Sequence, residues 1–597
     1  MAVAVAVPRL ELDRPFTYLI PEPESVSVGT LVSVPFHGRT VKGWVLGPTS
    51  EIPDRVLPVR RVLSRRPIFD ERTLELCRWV SERYVVPLAT AIGRLHPPRV
   101  AGEEARKTRS PAAAPDVLPT SVLASYERGG ALRAACSNGS GAFVFRSLPD
   151  DEQAACLEAV AACVEGDRDA IVLVPESQPT PSTAAAVLDA FGEAALWFAG
   201  GDARTRYRSW IEMLDGVYRV VVGTRPAVFA PARRLGLVWV HRDAHPGHRE
   251  ERTPAYHVRE VALARGRLDE AVVVLAGQSP SAVAALLADE GGAELVRAPR
   301  ARERAAAPMV ETVRSEREDR TPRLRDSVRS ATSAFLLVSR RGYGIARVCR
   351  ACGEPARCGE CMGAVVIRQG RAACAVCEKQ AVCGQCGADR FRVERGGTER
   401  IEEWVRGLTA LAITRVDEGA QAIPIEPGLL VVGTAAAVKD VGPRRVDLVG
   451  ILDPDRALRR AGLSAQEQSL ATWIEAAAWA GPKAGGGRVL VQTGEPGHAA
   501  IQALVRWDPW RLHRSDRQRR AEAGFPVGFP VFRVRGRSGI RDALAELDPV
   551  GLLASDAGDE TVCLLTLRPD AVPAFRRRVV ALLEKGIARR VEAEPQL

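Results

Sequence analysis

Lysine is nearly missing from this chain. Of its 83 basic residues only six are lysine (Lys42, Lys107, Lys379, Lys439, Lys483 and Lys585), and the other 77 are arginine. None of the six stands in a Gly-Lys-Ser/Thr setting, which excludes the loop that cradles nucleotide triphosphates with backbone N–H groups and one lysine. No apolar run approaches the ~18 residues of a membrane span. The opening "MAVAVAV" has no basic segment and too short an apolar core for a secretory leader, so a cytoplasmic location is expected. Cysteine is sparse outside one stretch: five of thirteen (Cys77, Cys136, Cys156, Cys163 and Cys563) are scattered along the chain. That scatter excludes a disulfide framework.

What is present describes an ordinary globular protein, with 46% hydrophobic and 26% charged residues. A length of 597 residues predicts roughly three to five domains. The formal charge of +10 fits a polyanionic partner. The arginine and alanine bias fits GC-rich coding equally well.

The remaining eight cysteines fall within residues 349–386, spaced C-x2-C-x5-C-x2-C-x12-C-x2-C-x5-C-x2-C. Each C-x2-C knuckle offers two soft thiolates from one tight turn, and tetrahedral zinc takes four. Two sites follow, and the knuckles could pair in nested or in sequential order. So short an insert buries little core, and bound metal would supply most of its folding energy, ~10–16 kcal/mol per site.

Along the chain, strand-like runs ("AVAVAV", "TYLI", "GTLVSVPF", "VKGWVLG") and a helical stretch ("RTLELCRWVSERYVV") predict an N-terminal domain over 1–104. Residues 105–140 are polar and small and read as a linker. Apolar strands alternating with helices ("AIVLVPE", "YRVVVGT", "LGLVWVH", "EAVVVLAG") predict a parallel α/β unit over 141–300. A second such unit is expected over 301–504, interrupted by the cysteine insert at 346–395, with a smaller α+β domain over 505–597.

Several stretches, in order, resemble the primosomal replication-restart protein N′ (PriA) family of superfamily 2 DNA helicases: "VVVGTRPAVFAP", "YHVREVALAR", "SRRGYG", "GGTERIEE", "LVGILDPD" and "VLVQTGEPGHAAIQAL". "LDRPFTYLIP" and "VPFHGRTVKGWV" resemble its domain that grips a DNA 3′ end. The resemblance implies a multidomain α/β fold: a β-rich DNA-binding domain, two RecA-like lobes, a double-zinc insert in the second lobe and a C-terminal α+β domain. It implies nested pairing, with Cys349, Cys352, Cys383 and Cys386 on the first zinc and Cys358, Cys361, Cys374 and Cys377 on the second. It also implies Phe16, Tyr18 and Gly38 as the pocket for a 3′-terminal base. Within that pocket the family's aspartate is Thr17 here and its lysine falls on or near Leu57. Where the family carries a winged helix, residues 105–140 predict a reduced or absent domain.

The departures fall on the motor. Aligned on the first helix of lobe 1, the phosphate loop's lysine falls on Glu152, its Ser/Thr on Gln153 and its glycines on Arg146, Pro149 and Asp151. Asp150, Asp151 and Glu152 are expected to cap that helix. One carboxylate ~5 Å from a phosphate charge repels it by roughly 3 kcal/mol at an effective dielectric of 20. The family's magnesium motif reads His241-Arg242-Asp243-Ala244, and Arg242 cannot ligate Mg²⁺. The final motif's arginines fall on Trp479 and Pro482. Glu152, Gln153, His241 and Arg242 therefore mark a vestigial nucleotide site, and neither ATP binding nor enzyme activity is expected. "HRDAHPGH" also sets His241, Asp243, His245 and His248 close enough for a metal, though without ligand spacing, so loop drift is the simpler reading. Arg340, Arg341 and Tyr343 interleave charge with an aromatic, as single-strand channels do. A second run, "RLHRSDRQRR", reads as a solvated face.

The expected function is replication restart: a monomer without membrane attachment that binds branched and single-stranded DNA at stalled forks. It would help reload the replicative helicase, with the single-stranded-DNA-binding protein as a further partner. Two alternatives are an active 3′→5′ helicase and a primosome scaffold that binds protein alone.

Overall fold

In the computed structural model the chain is described over residues 1–64, 66–113, 115, 121–314, 322–339, 345–354, 356–360, 365–368, 371–374, 379–394, 397–416, 427–440, 442, 445–460 and 462–595. The N-terminal runs form strands Ala2–Val5, Phe16–Leu19, Leu31–Phe36 and Arg39–Gly47, which with Leu57–Pro58 and Arg61–Val62 make one six-stranded sheet. His37 and Gly38 link the two longest strands with φ of 45° and 75°, the two positive values that a type I′ hairpin demands. Helices Glu71–Arg83 and Leu88–Leu95 cover one face, burying Leu76 and Ile92 in the core that holds Trp44 and Leu46.

The first α/β unit is a seven-stranded parallel sheet. Its central strands Asp169–Leu173, Leu235–His241 and Val272–Gly277 are near-continuous apolar runs because helices cover both faces. A second parallel sheet of six strands includes Ala334–Val338, Leu429–Gly433, Leu448–Leu452 and Arg488–Thr493. Between the first two of these strands lies a four-stranded antiparallel sheet carrying the cysteine knuckles. The C-terminal domain packs helix Val572–Glu584 on a four-stranded antiparallel sheet. Arg576 of that helix bonds Asp13 and the carbonyls of Ser81 and Val86, so the first and last domains clasp one another.

The linker expectation for 105–140 needs correction in its second half. Helix Gly129–Asn138 buries Leu132 and Cys136 against helix Glu152–Glu165 in the same core as Leu123 and Tyr126. Its few apolar residues share one face, which a composition-based reading discounts. Among the described residues no helix is long and apolar enough to cross a membrane.

Candidate functional site: the cleft between the lobes

The lobes face each other across the carboxyl ends of their parallel strands, where α/β sheets place ligands. Helix Glu152–Glu165 begins there, and in a nucleotide-binding lobe its N-terminus would hold phosphate. The expected acidic cap does not form: the helix has no side-chain cap bond. Each carboxylate is engaged sideways instead. Asp150 accepts from Arg445 of the second lobe at 2.6 and 2.7 Å. Asp151 accepts from the Tyr126 hydroxyl at 2.8 Å and Arg302 at 2.7 Å. Glu152 accepts from Ser147 and Gln278, both at 3.0 Å. Desolvation raises the Glu152 pKa against the opposing charge of His241.

Across the cleft, Asp440 of lobe 2 does the work of an N-cap for a lobe-1 helix. Helix Ser182–Phe191 follows Pro181 and has no cap of its own. Asp440 accepts from Ser182 Oγ and, at 3.1 Å, from Thr183 N, while its carbonyl accepts from Ser182 N at 2.9 Å. His241 Nε2 lies 3.1 Å from the same carboxylate. Burial alone would depress the His241 pKa, but the hydrogen bond and charge of Asp440 raise it. Desolvation would raise Asp440, but the bonds from His241 and Ser182 and the charges of His241 and Arg242 together hold it well below the usual carboxylate range.

Arg242, 6% exposed, lies beside this pair with a positive φ of 54°. It donates from Nε to Glu475 at 2.9 Å, from Nη2 to the same carboxylate, and to the Val438 carbonyl at 3.0 Å. Lys439 pairs with Glu176, and Glu467 accepts from Ala282 N at 2.6 Å. Trp479, which replaces a family arginine, packs on Phe335 at 4.6 Å. One pocket of the cleft, lined by Glu152, Gln153, Arg242, Asp440 and Trp479 among others, is about 50 Å³, and a neighbouring one beside Asp150, Asp151 and Arg445 is about 210 Å³. Sequence reasoning found Glu152, Gln153, His241 and Arg242 but missed Asp440, Glu475, Lys439 and Arg445, because nothing in one sequence signals which opposite charges will meet.

The possible histidine metal site does not assemble. Asp243 bonds Ser281 Oγ at 2.6 Å, with its pKa raised by burial to about 6. His245 accepts from Gly247 N at 3.0 Å, and His248 Nε2 meets the His241 carbonyl at 2.7 Å.

The cysteines behave otherwise. The sulfurs of Cys349, Cys352, Cys383 and Cys386 lie within 4.8 Å of one another, the nested grouping. Backbone N–H groups of Cys352 and Ala351 and the Cys386 thiol hold Cys349 down at about 7. Cys352 goes the other way, to about 12: the Glu354 N–H opposes the rise, while desolvation and the neighbouring thiols drive it. One thiolate thus forms readily and the next resists sitting beside it, a conflict that a divalent cation removes. The donor set fits a four-thiolate zinc site. Of the second set, Cys358 and Cys374 are buried, while Cys361 and Cys377 lie outside the described residues, as do Arg340, Arg341 and Tyr343.

On the N-terminal domain Phe16 is half-buried and meets Phe36 edge-on at 5.0 Å, with the Arg14 guanidinium 5.2 Å from its ring centre. Gly38 has open space where a side chain would project. Tyr18 requires correction as a base-contacting residue. It is 5% exposed, and its hydroxyl donates to the Pro35 carbonyl at 2.9 Å, so it braces the hairpin that carries Gly38 and presents no face for stacking. The strand register sets Leu57 beside it.

Two parallel-sheet lobes meeting at a polar cleft, with a β-rich domain ahead of them, define a multidomain α/β protein. The profile of the 3′DNA-binding domain (3′BD) matches residues 2–97. Over 94% of its length the chain is 32% identical to the probable replication restart protein PriA of Mycobacterium tuberculosis, covering 91% of that protein. To the replication restart protein PriA of Treponema pallidum it is 28% identical, over 89% of this chain and 87% of that one. Among solved structures, RecG bound to a three-way DNA junction aligns with a TM-score of 0.37 at 13% identity, over 74% of this chain and 51% of that one. The chain belongs to the PriA replication-restart family.

The His241–Asp440 pair generates a pH dependence. Its stabilisation is complete between the ordinary aspartate value of about 3.9 and the ordinary histidine value of about 6.5. It fades as pH rises through His241's raised value and as pH falls through Asp440's. The melting-temperature gap between wild type and His241→Asn is therefore expected to be wide at about pH 6 and to narrow in alkaline buffer. An equal gap at about pH 6 and about pH 9.5 would contradict the assignment.

Proposed function

We propose that this chain is a replication-restart protein that binds branched DNA at stalled forks and promotes reloading of the replicative helicase without an ATP-driven motor. The observation that carries the motorless reading is the cleft. Its free space is divided into two small pockets of about 50 and about 210 Å³, each below the roughly 300–1,000 Å³ of small-molecule sites. Asp440 occupies the helix N-terminus at Ser182 where an anion would sit, and Arg242 stands where magnesium ligation needs a carboxylate. Phosphoryl transfer depends on a cradle, a metal and a cation at the leaving charge, and each position carries a residue of the wrong chemistry.

DNA binding in this reading rests on the 3′DNA-binding domain, with Phe16 and Gly38 offering a ring and an open backbone to a terminal base; stacking of this kind contributes about 1–3 kcal/mol per base. Partners follow the family: the replicative helicase and the single-stranded-DNA-binding protein. The zinc insert, two ions per chain, would be a rigid module for fork or partner contacts. A second reading, a primosome scaffold that has left DNA, draws on Tyr18 being buried and on Thr17 and Leu57 standing where the family has charge.

Two experiments follow. Forked DNA with a free 3′ leading-strand end, titrated with and without ATP·Mg²⁺ while phosphate is assayed, is expected to bind tightly, more weakly with added salt, with no phosphate released. Salt-independent or absent binding would favour the scaffold, and DNA-stimulated phosphate release would restore the motor. Metal analysis should give two zincs per chain, falling to one in Cys349→Ser with the lobes still folded; unchanged content would refute the grouping.

A further inference from the structure

The N-terminal domain, both lobes and the C-terminal domain meet around a cavity of about 410 Å³. A second cavity of the same volume shares Tyr84, Arg249 and Glu594 with it, so the two form one groove along the junction. All four domains send arginines to its wall: Arg83 from the end of helix Glu71–Arg83, Arg249 and Arg259 from lobe 1, the exposed Arg460 from lobe 2, and Arg520 from the C-terminal domain.

These guanidiniums are incompletely satisfied. Arg83 Nη1, Arg249 Nε and Arg259 Nε are out of contact with water and have no hydrogen-bond acceptor. Arg259 is 8% exposed, yet its carboxylate neighbours Asp243 and Glu260 stand at 3.8 and 3.7 Å, beyond hydrogen-bond reach. Buried donors are nearly always paired; these orphans lie just beneath the wall, on side chains whose other atoms line the cavity, so an anion there would meet the guanidiniums as they turn toward it. Of the acids on the wall, Glu594 is already engaged by Arg83 at 2.9 Å, Glu467 by Ala282 N at 2.6 Å and Glu592 by Arg533 at 3.2 Å, while Glu260 and the exposed Glu251 remain.

The local field agrees. His257 shares the wall, and burial together with Arg259, His248 and Arg249 holds its pKa well below the ordinary value. Helix Val258–Asp269 starts at His257, adding the positive end of its dipole to the same space. Guanidinium forks of this kind match phosphate oxygens.

We propose that this junction groove is a binding site for a linear phosphate-bearing anion, the chemistry shared by a single-strand backbone and a free oligophosphate. A groove longer than one cavity and lined from four domains suits spaced phosphates better than one compact ion. The strand arm rests on the DNA-binding reading above; the oligophosphate arm does not.

The test uses the full chain, inorganic tripolyphosphate by calorimetry and a labelled oligo-dT strand by anisotropy over a salt series. Arg249→Ala and Arg460→Ala are compared with Arg514→Ala, an exposed arginine outside the groove, after melting curves confirm folding. Each groove variant is expected to weaken tripolyphosphate about tenfold and leave Arg514→Ala like wild type. Strand affinity falling in parallel, with the salt slope shallower by about one per arginine, assigns the groove to a strand. Strand affinity unchanged while tripolyphosphate is lost assigns it to a free oligophosphate. Wild type that binds tripolyphosphate and no DNA leaves the groove standing and removes the restart reading. Failure of wild type to bind either probe, or variants indistinguishable from it, overturns the proposal.

Discussion

Carboxylates from one lobe seated on helix N-termini of the other hold this molecule in its observed form. Asp440 takes the first amides of helix Ser182–Phe191, and Glu467 takes Ala282 N at the start of helix Ala282–Asp289. A helix N-terminus carries about half a positive charge, and in nucleotide-binding folds that charge meets phosphate. Here the protein's own second lobe provides the anion. The two lobes are thereby joined beside the start of helix Glu152–Glu165, where Asp440 and Glu152 line one pocket.

The ion pairs beside these caps explain why the join persists. Arg242 and Glu475 are largely shielded from water, 6% and 13% exposed at the side chain. Removing one member of such a pair costs about 3–5 kcal/mol, because the other is left charged and buried. The same argument applies to a nucleotide: a triphosphate entering the cleft would separate Asp440 from His241 and place its charge beside Glu152 and Asp150. The cleft thus holds a set of residues whose charges satisfy one another. The zinc-type knuckles and the 3′DNA-binding domain lie outside that cleft, so their chemistry does not depend on it.

The sequence carried the architecture more fully than the contacts. Apolar runs such as Leu235–His241 announce buried parallel strands by themselves, and knuckle spacing announces a thiolate cluster because both ligands of a knuckle lie three residues apart. The cleft was half legible. Glu152 and Arg242 stand out because they occupy positions where phosphate and magnesium chemistry forbids them, but their partners lie in other elements. Arg242 and Glu475 are 233 residues apart, and only the folded topology brings them together. Tyr18 shows the opposite difficulty: an aromatic matching a family base pocket is, in this domain, a core residue whose hydroxyl finds the Pro35 carbonyl. The helix at 129–138 was hidden because its neighbourhood is rich in small residues, and packing against helix Glu152–Glu165 decides its place.

The most direct test of the central claim is hydrogen exchange at the amides of Ser182 and Thr183, measured in free protein and with ATP·Mg²⁺. If Asp440 occupies that helix terminus permanently, both amides are protected without nucleotide and unchanged when it is added, and the Thr183 amide, which bonds the carboxylate, becomes exposed in Asp440→Ala. Rapid exchange in the free protein that slows on adding ATP·Mg²⁺ would show that the cleft opens to nucleotide and would contradict the account.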